Sequence, residues 1–275
     1  MRIASVGHAV FAAVLVAIGI AFLVYGDFGG IWDVLPKGFP GRAELIYLCA
    51  TVSLVCGAGL LWRYTAVIAG RALLIYLLLW MLAFRGHDIV LAPTVEVVYQ
   101  NWGQNAVIVA GAWVLYAWFA TDWDRRWLGF ATGHRGVLIA RVFYGLAMLA
   151  FGLSHFFYLD LTAPLIPGWL PWHVAWAYFF GATYLAAGVA VLAGVYARLA
   201  AALSVVQMGM FTLLVWVPIV ATGHASAGQW NEFVASLALT FGGWIVADSY
   251  RGVAWFGVGR RLGQRVDSGI ANRGA

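Results

Sequence analysis

Long apolar runs broken by short polar or aromatic stretches repeat eight times along this chain. The runs cover residues 9–25, 45–62, 64–84, 104–121, 137–158, 172–193, 199–220 and 232–247. Roughly 20 apolar residues cross a bilayer core, with about 17 as the lower bound. The first and last runs are therefore short for a span. Backbone in lipid must satisfy its own hydrogen bonds, so each run predicts a helix. The expected fold is all-α: a polytopic membrane protein with about eight transmembrane helices.

The pattern repeats at a larger scale. Laid over residues 141–249, residues 8–118 bring Gly19 onto Gly152 and Asp27 onto Asp160. After a two-residue shift Pro36 falls on Pro167, Pro40 on Pro171 and Gly57 on Gly188. Further on, Leu77-Leu78-Leu79-Trp80 meets Leu213-Leu214-Val215-Trp216, and Gly111-Ala112-Trp113 meets Gly242-Gly243-Trp244. The matches keep their order over four helices. The expected organisation is a first four-helix unit at 1–121, a cytoplasmic linker at 122–136, a second unit at 137–250 and a basic cytoplasmic tail at 251–275. Four helices are an even number, so both units enter from the same side, and a pseudo-twofold axis would run along the membrane normal.

Composition sharpens this. The chain has 275 residues, 64% hydrophobic and only 10% charged. A soluble domain carries about 25% charged residues, so most of this surface must face lipid. The net charge of +5 does not point to nucleic acid, because the basic residues sit singly beside apolar runs. They read as topology determinants. With the N-terminus cytoplasmic, that side holds Arg2, Arg63, Arg71, Arg125, Arg126, Arg135, Arg141, Arg198, Arg251, Arg260, Arg261, Arg265 and Arg273. The other side holds Lys37, Arg42 and Arg85. This bias predicts both termini inside and an even number of spans. The first run is read as a retained span, since no small-x-small cleavage site follows in Val24-Tyr25-Gly26-Asp27. Trp32, Trp62, Trp102, Trp118, Trp123, Trp127, Trp169, Trp172, Trp230 and Trp255 fall at or near span ends and predict an interfacial aromatic belt. Cys49 and Cys56 stand seven residues apart on one helix, about 10 Å along its axis. That is too far for a disulfide, and both read as small apolar fillers.

The second half reads Arg141, Gly145, Gly152, His155-Phe156, Ile166-Pro167-Gly168-Trp169-Leu170-Pro171, Gly181, Gly188 and Arg198. It resembles the DoxX-like family of four-helix bacterial membrane proteins. The first half resembles a diverged copy, with His8 in place of Arg141 and Phe22 in place of His155. Many members carry a Glu three residues after the glycine of the second helix. Here Tyr184 and Ser53 stand there, so no role of that Glu carries over. The resemblance implies a membrane-anchoring or quinone-facing subunit, or an accessory, of a redox system with a redox protein partner. The alternative is a non-enzymatic carrier or structural protein that binds a small hydrophobic ligand or a partner at the repeat interface. No nucleotide, flavin or phosphate motif is present, so no cofactor is evident, electron transfer by this chain alone is not expected, and quinone is the ligand to consider. The lipid bilayer is the expected surrounding, and oligomerisation stays open.

Candidate chemistry gathers at one level. His155, Asp160, His173, His224 and Glu232 all fall at the outward ends of the second unit's runs. Ionisable groups at a membrane edge are functional candidates, and histidine can move protons or bond a quinone carbonyl. The bland alternative is interfacial residues touching water and headgroups. His155 stands out, because it interrupts the apolar run Phe151–Phe157. It is expected to line a ligand pocket under a turn built by Pro167, Gly168, Trp169 and Pro171. Two prolines four apart bar a regular helix there. Arg71 lies about 12 Å beyond Arg63 along a helix axis, with Gln207 at the matching place. Either Arg71 snorkels to the cytoplasmic face, or Arg71 and Gln207 face each other across the repeat interface. Arg141 is expected to pair with Asp122, Asp124 or Asp248. No metal site is expected, since no helix carries His-x-x-x-His or Glu-x-x-His spacing. Haem ligation by histidines on two helices remains compatible with the spacing. The tail Arg260-Arg261-Leu262-Gly263-Gln264-Arg265 is expected to lie on anionic lipid.

Overall fold

A computed structural model describes residues 4–258. Those residues form helices and no strand. Eight of the helices are long: α1 Val6–Tyr25, α2 Arg42–Leu60, α3 Ala66–Leu91, α4 Glu96–Phe119, α5 Gly133–Phe157, α6 His173–Ala193, α7 Ala197–Ala221 and α8 Ala227–Asp248. Six of them, all but α4 and α8, are long and apolar enough to cross a membrane, which marks a membrane-embedded protein.

The two exceptions have a reason in the packing. Successive helices pack side by side from α1 to α8, and α8 closes back on α1. Helices α4 and α8 also pack on each other in the middle. Every residue of α4 from Asn105 to Ala117 is buried. That enclosed stretch is almost wholly apolar, as a helix buried all round should be, and the polar groups that lower the hydropathy of α4 gather before it or at its start. The first turns of α4 hold Glu96, Gln100, Asn101, Gln104 and Asn105, and α8 holds Gln229, Asn231, Ser236 and Thr240. The two helices meet at Gly111 and Gly242. A Cβ on Gly111 would lie 2.9 Å from the Gly242 Cα, so only glycine permits this approach.

Several boundaries differ from those read off hydropathy. The run at 232–247 is the C-terminal part of a 22-residue helix. It starts at Ala227 because Ser226 and Gln229 form a reciprocal cap there. The polar turns Gln229–Glu232 hid this start. Likewise α4 starts at Glu96 rather than 104. The run at 64–84 continues to Leu91 through a π turn at Met81–Arg85. Arg85 does not end the helix. Its guanidinium turns inward, 2.7 Å from the Ile31 carbonyl. A second π turn, Thr212–Trp216, interrupts α7. The linker 122–136 is not simply a connector. It contains the helix Asp122–Trp127, capped by Thr121 and Asp124, and α5 already starts at Gly133. Arg2 and the basic tail beyond residue 258 lie outside the described residues.

One tryptophan leaves the expected belt. Trp32 is 2% exposed. It sits in the strap 26–41 between α1 and α2, which sends Phe28, Ile31, Trp32 and Leu35 into the core. Arg42 holds the strap down, 2.5 Å from Asp27, 3.1 Å from Asp33 and 3.2 Å from the Leu35 carbonyl. The matching strap 158–172 stays at the surface, with Trp169 and Trp172 exposed.

Candidate functional site

The residues singled out from the sequence do not assemble. Among the described residues, no hydrogen bond or ion pair joins any two of His155, Asp160, His173, His224 and Glu232. Asp160, His224 and Glu232 are exposed, and His173 is half-buried at the start of α6. His155 is half-buried in the last turn of α5. Its Nδ1 lies 2.7 Å from the Phe151 carbonyl of its own helix. Its ring packs beside Tyr184, with centroids 5.7 Å apart. The close approach of α5 to α6 at Gly181 turns the ring toward that helix. Pro167 is half-buried, whereas Gly168, Trp169 and Pro171 are exposed.

Arg71 and Gln207 do not face each other. Gln207 donates to the Phe180 carbonyl at 3.1 Å and accepts from the Thr183 hydroxyl at 2.7 Å, inside the second half. Arg71 reaches the linker helix instead, 2.7 Å from Asp124, with its guanidinium over the Trp123 ring. Asp124 is fully buried and also accepts from Tyr116 at 2.9 Å and from the Thr121 hydroxyl and N–H. Burial works against its charge, but the bonds from Thr121 and Tyr116 and the Arg71 charge outweigh it. Its pKa therefore lies below the ordinary carboxylate value. Arg141 does not take an acid. It donates to the Ser249 hydroxyl at 3.0 Å and to the Ser249 carbonyl, and lies over the Tyr250 ring. The acids proposed for it are engaged elsewhere: Asp122 with Arg125, Asp124 with Arg71 and Asp248 with Arg251.

Three features were missed by sequence reasoning. The first is Glu96, in the turn of α4 that precedes the apolar run at 104–121. It is buried, and neither carboxyl oxygen has a hydrogen-bond partner. Burial raises its pKa to about 7. A raised acid keeps its proton in the folded state, so the stability it contributes is full below the ordinary value of 4.5 and is lost as pH rises through about 7. Glu96→Gln should leave the melting temperature unchanged near about pH 5 and raise it near about pH 8. Equal melting shifts at the two pH values would show that the carboxyl does not titrate in this way.

The second is a groove of about 290 Å³ between α1 and α8, lined by Ala17, Ala21, Tyr25, Trp230, Asn231 and Val234. Behind it lies a cavity of about 10 Å³ bounded by Phe22, Gly29, Trp32 and Asn231. That is room for roughly one water. Gly29 packs directly on the Asn231 amide, where a Cβ would come within 2.6 Å. The groove walls are apolar except for Tyr25 and Asn231. No sequence signal pointed here, because α1 and α8 are the most distant helices along the chain.

The third is a polar centre inside the first half. The Tyr76 hydroxyl is bordered by Cys49, Ser53 and Trp32. The Tyr76 hydroxyl, Ser53 hydroxyl, Trp32 Nε1 and neighbouring Trp80 Nε1 are all buried and none makes a well-formed hydrogen bond, although Ser53 and Trp32 lie within bonding reach of the Tyr76 hydroxyl. The second half differs at the matching level. There the hydroxyls of Thr212, Ser236 and Thr240 bond to one another. No family model, curated protein or solved structure matches the chain.

Proposed function

We propose that this chain is an eight-span membrane protein of two parallel-related four-helix units that holds a lipid-soluble ligand at the seam between them. The groove between α1 and α8 carries the reading. It is mostly apolar, it lies between the first helix of one unit and the last of the other, and its lining includes the polar groups of Tyr25 and Asn231. Such a shape suits an apolar molecule with one hydrogen-bonding end. It favours the carrier alternative over catalysis by the chain itself. The DoxX-like resemblance makes a quinone the ligand to test and a redox protein the partner that would use it. The charge bias supports an orientation with both termini in the cytoplasm, and the DoxX-like resemblance supports a bacterial inner membrane.

The two-unit reading has its own support. The π turns of α3 and α7 both start at the sixteenth residue of their helices, Met81 and Thr212. Gly19 abuts Leu54 as Gly152 abuts Leu185, and Gly57 abuts Val16 as Gly188 abuts Leu149. Gly111 and Gly242, matched in the sequence overlay, touch each other. Residues on a twofold axis meet their own equivalents, so this contact is where a parallel repeat would put its axis.

The test is to fill the groove. Ala21→Trp places a large side chain in it from α1. Protein purified from membranes is extracted with organic solvent, and the extract is scored for quinone and lipid. The wild type should retain a bound species that Ala21→Trp loses by at least about tenfold. Equal retention by both would remove the seam as the binding site.

A further inference from the structure

We infer that the groove between α1 and α8 selects an uncharged, single-chain lipid of the outer leaflet, and that the Asn231 amide, backed by Gly29, reads its polar head. This inference rests on the seam reading and says which molecule the seam admits. Charge narrows the choice first. Every residue lining the groove is uncharged. An ion without a counter-charge is expensive to bury, so neither an anionic nor a cationic head is matched there. Arg42, which ties down the adjoining strap, is already committed to Asp27, Asp33 and the Leu35 carbonyl. Size narrows it further. A volume of about 290 Å³ is roughly ten water-sized groups, which suits part of one alkyl chain and not two. The groove opens sideways: Val24 is 71% exposed, and Ile20, Tyr25 and Trp230 are exposed with it. In a membrane that side meets lipid. Tyr25 ends α1 and Trp230 stands in the first turn of α8, so with both termini cytoplasmic the groove lies in the outer leaflet.

The head is read at the back wall. Asn231 borders both the groove and the small cavity behind it, whereas Tyr25 stands at the rim. Among the described residues, the side-chain hydrogen bonds of α8 and its cap engage Ser226, Gln229, Ser236 and Thr240 and leave Asn231 out. A primary amide offers both donor and acceptor, so it fits a hydroxyl or carbonyl head. Gly29 keeps that amide in place. A Cβ there would lie 2.6 Å from Cγ and Oδ1 of Asn231 and 3.0 Å from its Nδ2, and these are the three nearest atoms. The strap backbone thus closes off the space behind the amide. A group already held in its binding position loses less freedom when a ligand arrives. Gly29 has a φ of −112°, which alanine adopts without strain. Gly29→Ala therefore displaces the Asn231 amide first, and this makes Gly29 a positioning residue with its own test.

The probes are photoreactive analogues of hexadecanol, hexadecyl sulfate and hexadecane, each with a diazirine in the chain. The full-length protein is reconstituted in phosphatidylcholine vesicles. Labelling within residues 17–25 and 230–234 is read by peptide mass spectrometry and normalised to exposed Val55 of α2. In the wild type, hexadecanol should label the groove about tenfold more than either other probe. Asn231→Leu and Gly29→Ala should each bring hexadecanol down to the level of hexadecane and leave the melting temperature unchanged. A merely structural role for either residue would lower the melting temperature and leave the ratio of the probes alone. Should Asn231→Leu not fold, Gly29→Ala reads the same ratio. Sulfate labelling equal to that of the alcohol would overturn the uncharged class. An alcohol preference that survives both substitutions would overturn the role of Asn231. Ala21→Trp separates this selection from the seam itself. If it abolishes labelling by all three probes while the wild type shows no head preference, the seam stands and the selection falls. If it changes labelling by none of them, the seam falls and the selection with it.

Discussion

Asp124→Ala should be among the most damaging single substitutions outside the apolar core, costing about 3 kcal/mol of stability. Asp124 collects four groups at the end of the bundle where the halves are joined. Arg71 comes from α3, Tyr116 from α4, and the Thr121 hydroxyl and N–H from the turn before the linker helix. Its removal leaves a cation and three donors facing a space that water does not readily fill. Arg71 is one-third exposed, so solvent relieves part of the loss. The Tyr116 hydroxyl has no such relief. Asp124→Asn keeps an acceptor for Thr121 or Tyr116 and should cost about half as much. Thermal melts of the purified protein in one detergent read both. Because the Asp124 pKa is depressed, the stability it brings is present above the ordinary carboxylate value and is lost as pH falls through the folded value. The difference between wild type and Asp124→Ala should therefore shrink in acid. A variant that melts with the wild type near neutral pH would mean the cluster is not a joint between α3, α4 and the linker helix.

Gly111→Leu should prevent the native packing altogether. A Cβ at Gly111 lies 2.9 Å from the Gly242 Cα and 3.0 Å from its carbonyl oxygen. Both obstacles are backbone, so no side chain can turn away, and α4 and α8 must separate. Gly111→Ala should cost about 1–3 kcal/mol, the range for overpacking a core. The bulkier leucine should exceed it and yield aggregated protein on size exclusion. Gly242→Ala should be milder, since its nearest obstacle is the Val107 carbonyl at 3.2 Å. Gly168→Ala is the control, with nothing within 4 Å of the added carbon. A monodisperse Gly111→Leu protein that melts like the wild type would contradict the central crossing.

The class of the molecule was legible along the chain. Each of the eight apolar runs coincides over most of its length with one of the eight long helices, and six of those are long and apolar enough to cross a membrane. That holds because burying apolar side chains and closing backbone hydrogen bonds within one segment are local requirements. Helix ends were less legible. Hydropathy registers only residues that face lipid or core, so the polar turns at Glu96–Gly103 and Ala227–Asn231 were invisible although both are helical. Arg85 was read as lying near a helix end, yet it sits within a continuous helix because its partner, the Ile31 carbonyl, is 54 positions away.

Partnerships were decided only in three dimensions. Sequence spacing placed Arg71 deep in its helix and left open whether it reached the cytoplasmic face or Gln207. Its true partner, Asp124, lies on a short helix after α4, and a Thr cap fixes that carboxylate in place. His155 drew notice because it breaks an apolar run. The carbonyl one turn earlier engages its Nδ1, and such a bond leaves no mark in composition. The converse holds for Trp32, Ser53 and Tyr76. Each is an ordinary residue at an ordinary place in the sequence, and Trp32 looked like one of many interfacial tryptophans. Only the fold of the strap over α2 and α3 brings their polar groups together. Periodicity and hydropathy record which solvent each residue faces. They carry nothing about which distant residue completes its hydrogen bonds, and the groove, the Asp124 joint and the polar centre are all made of such completions, or of their absence.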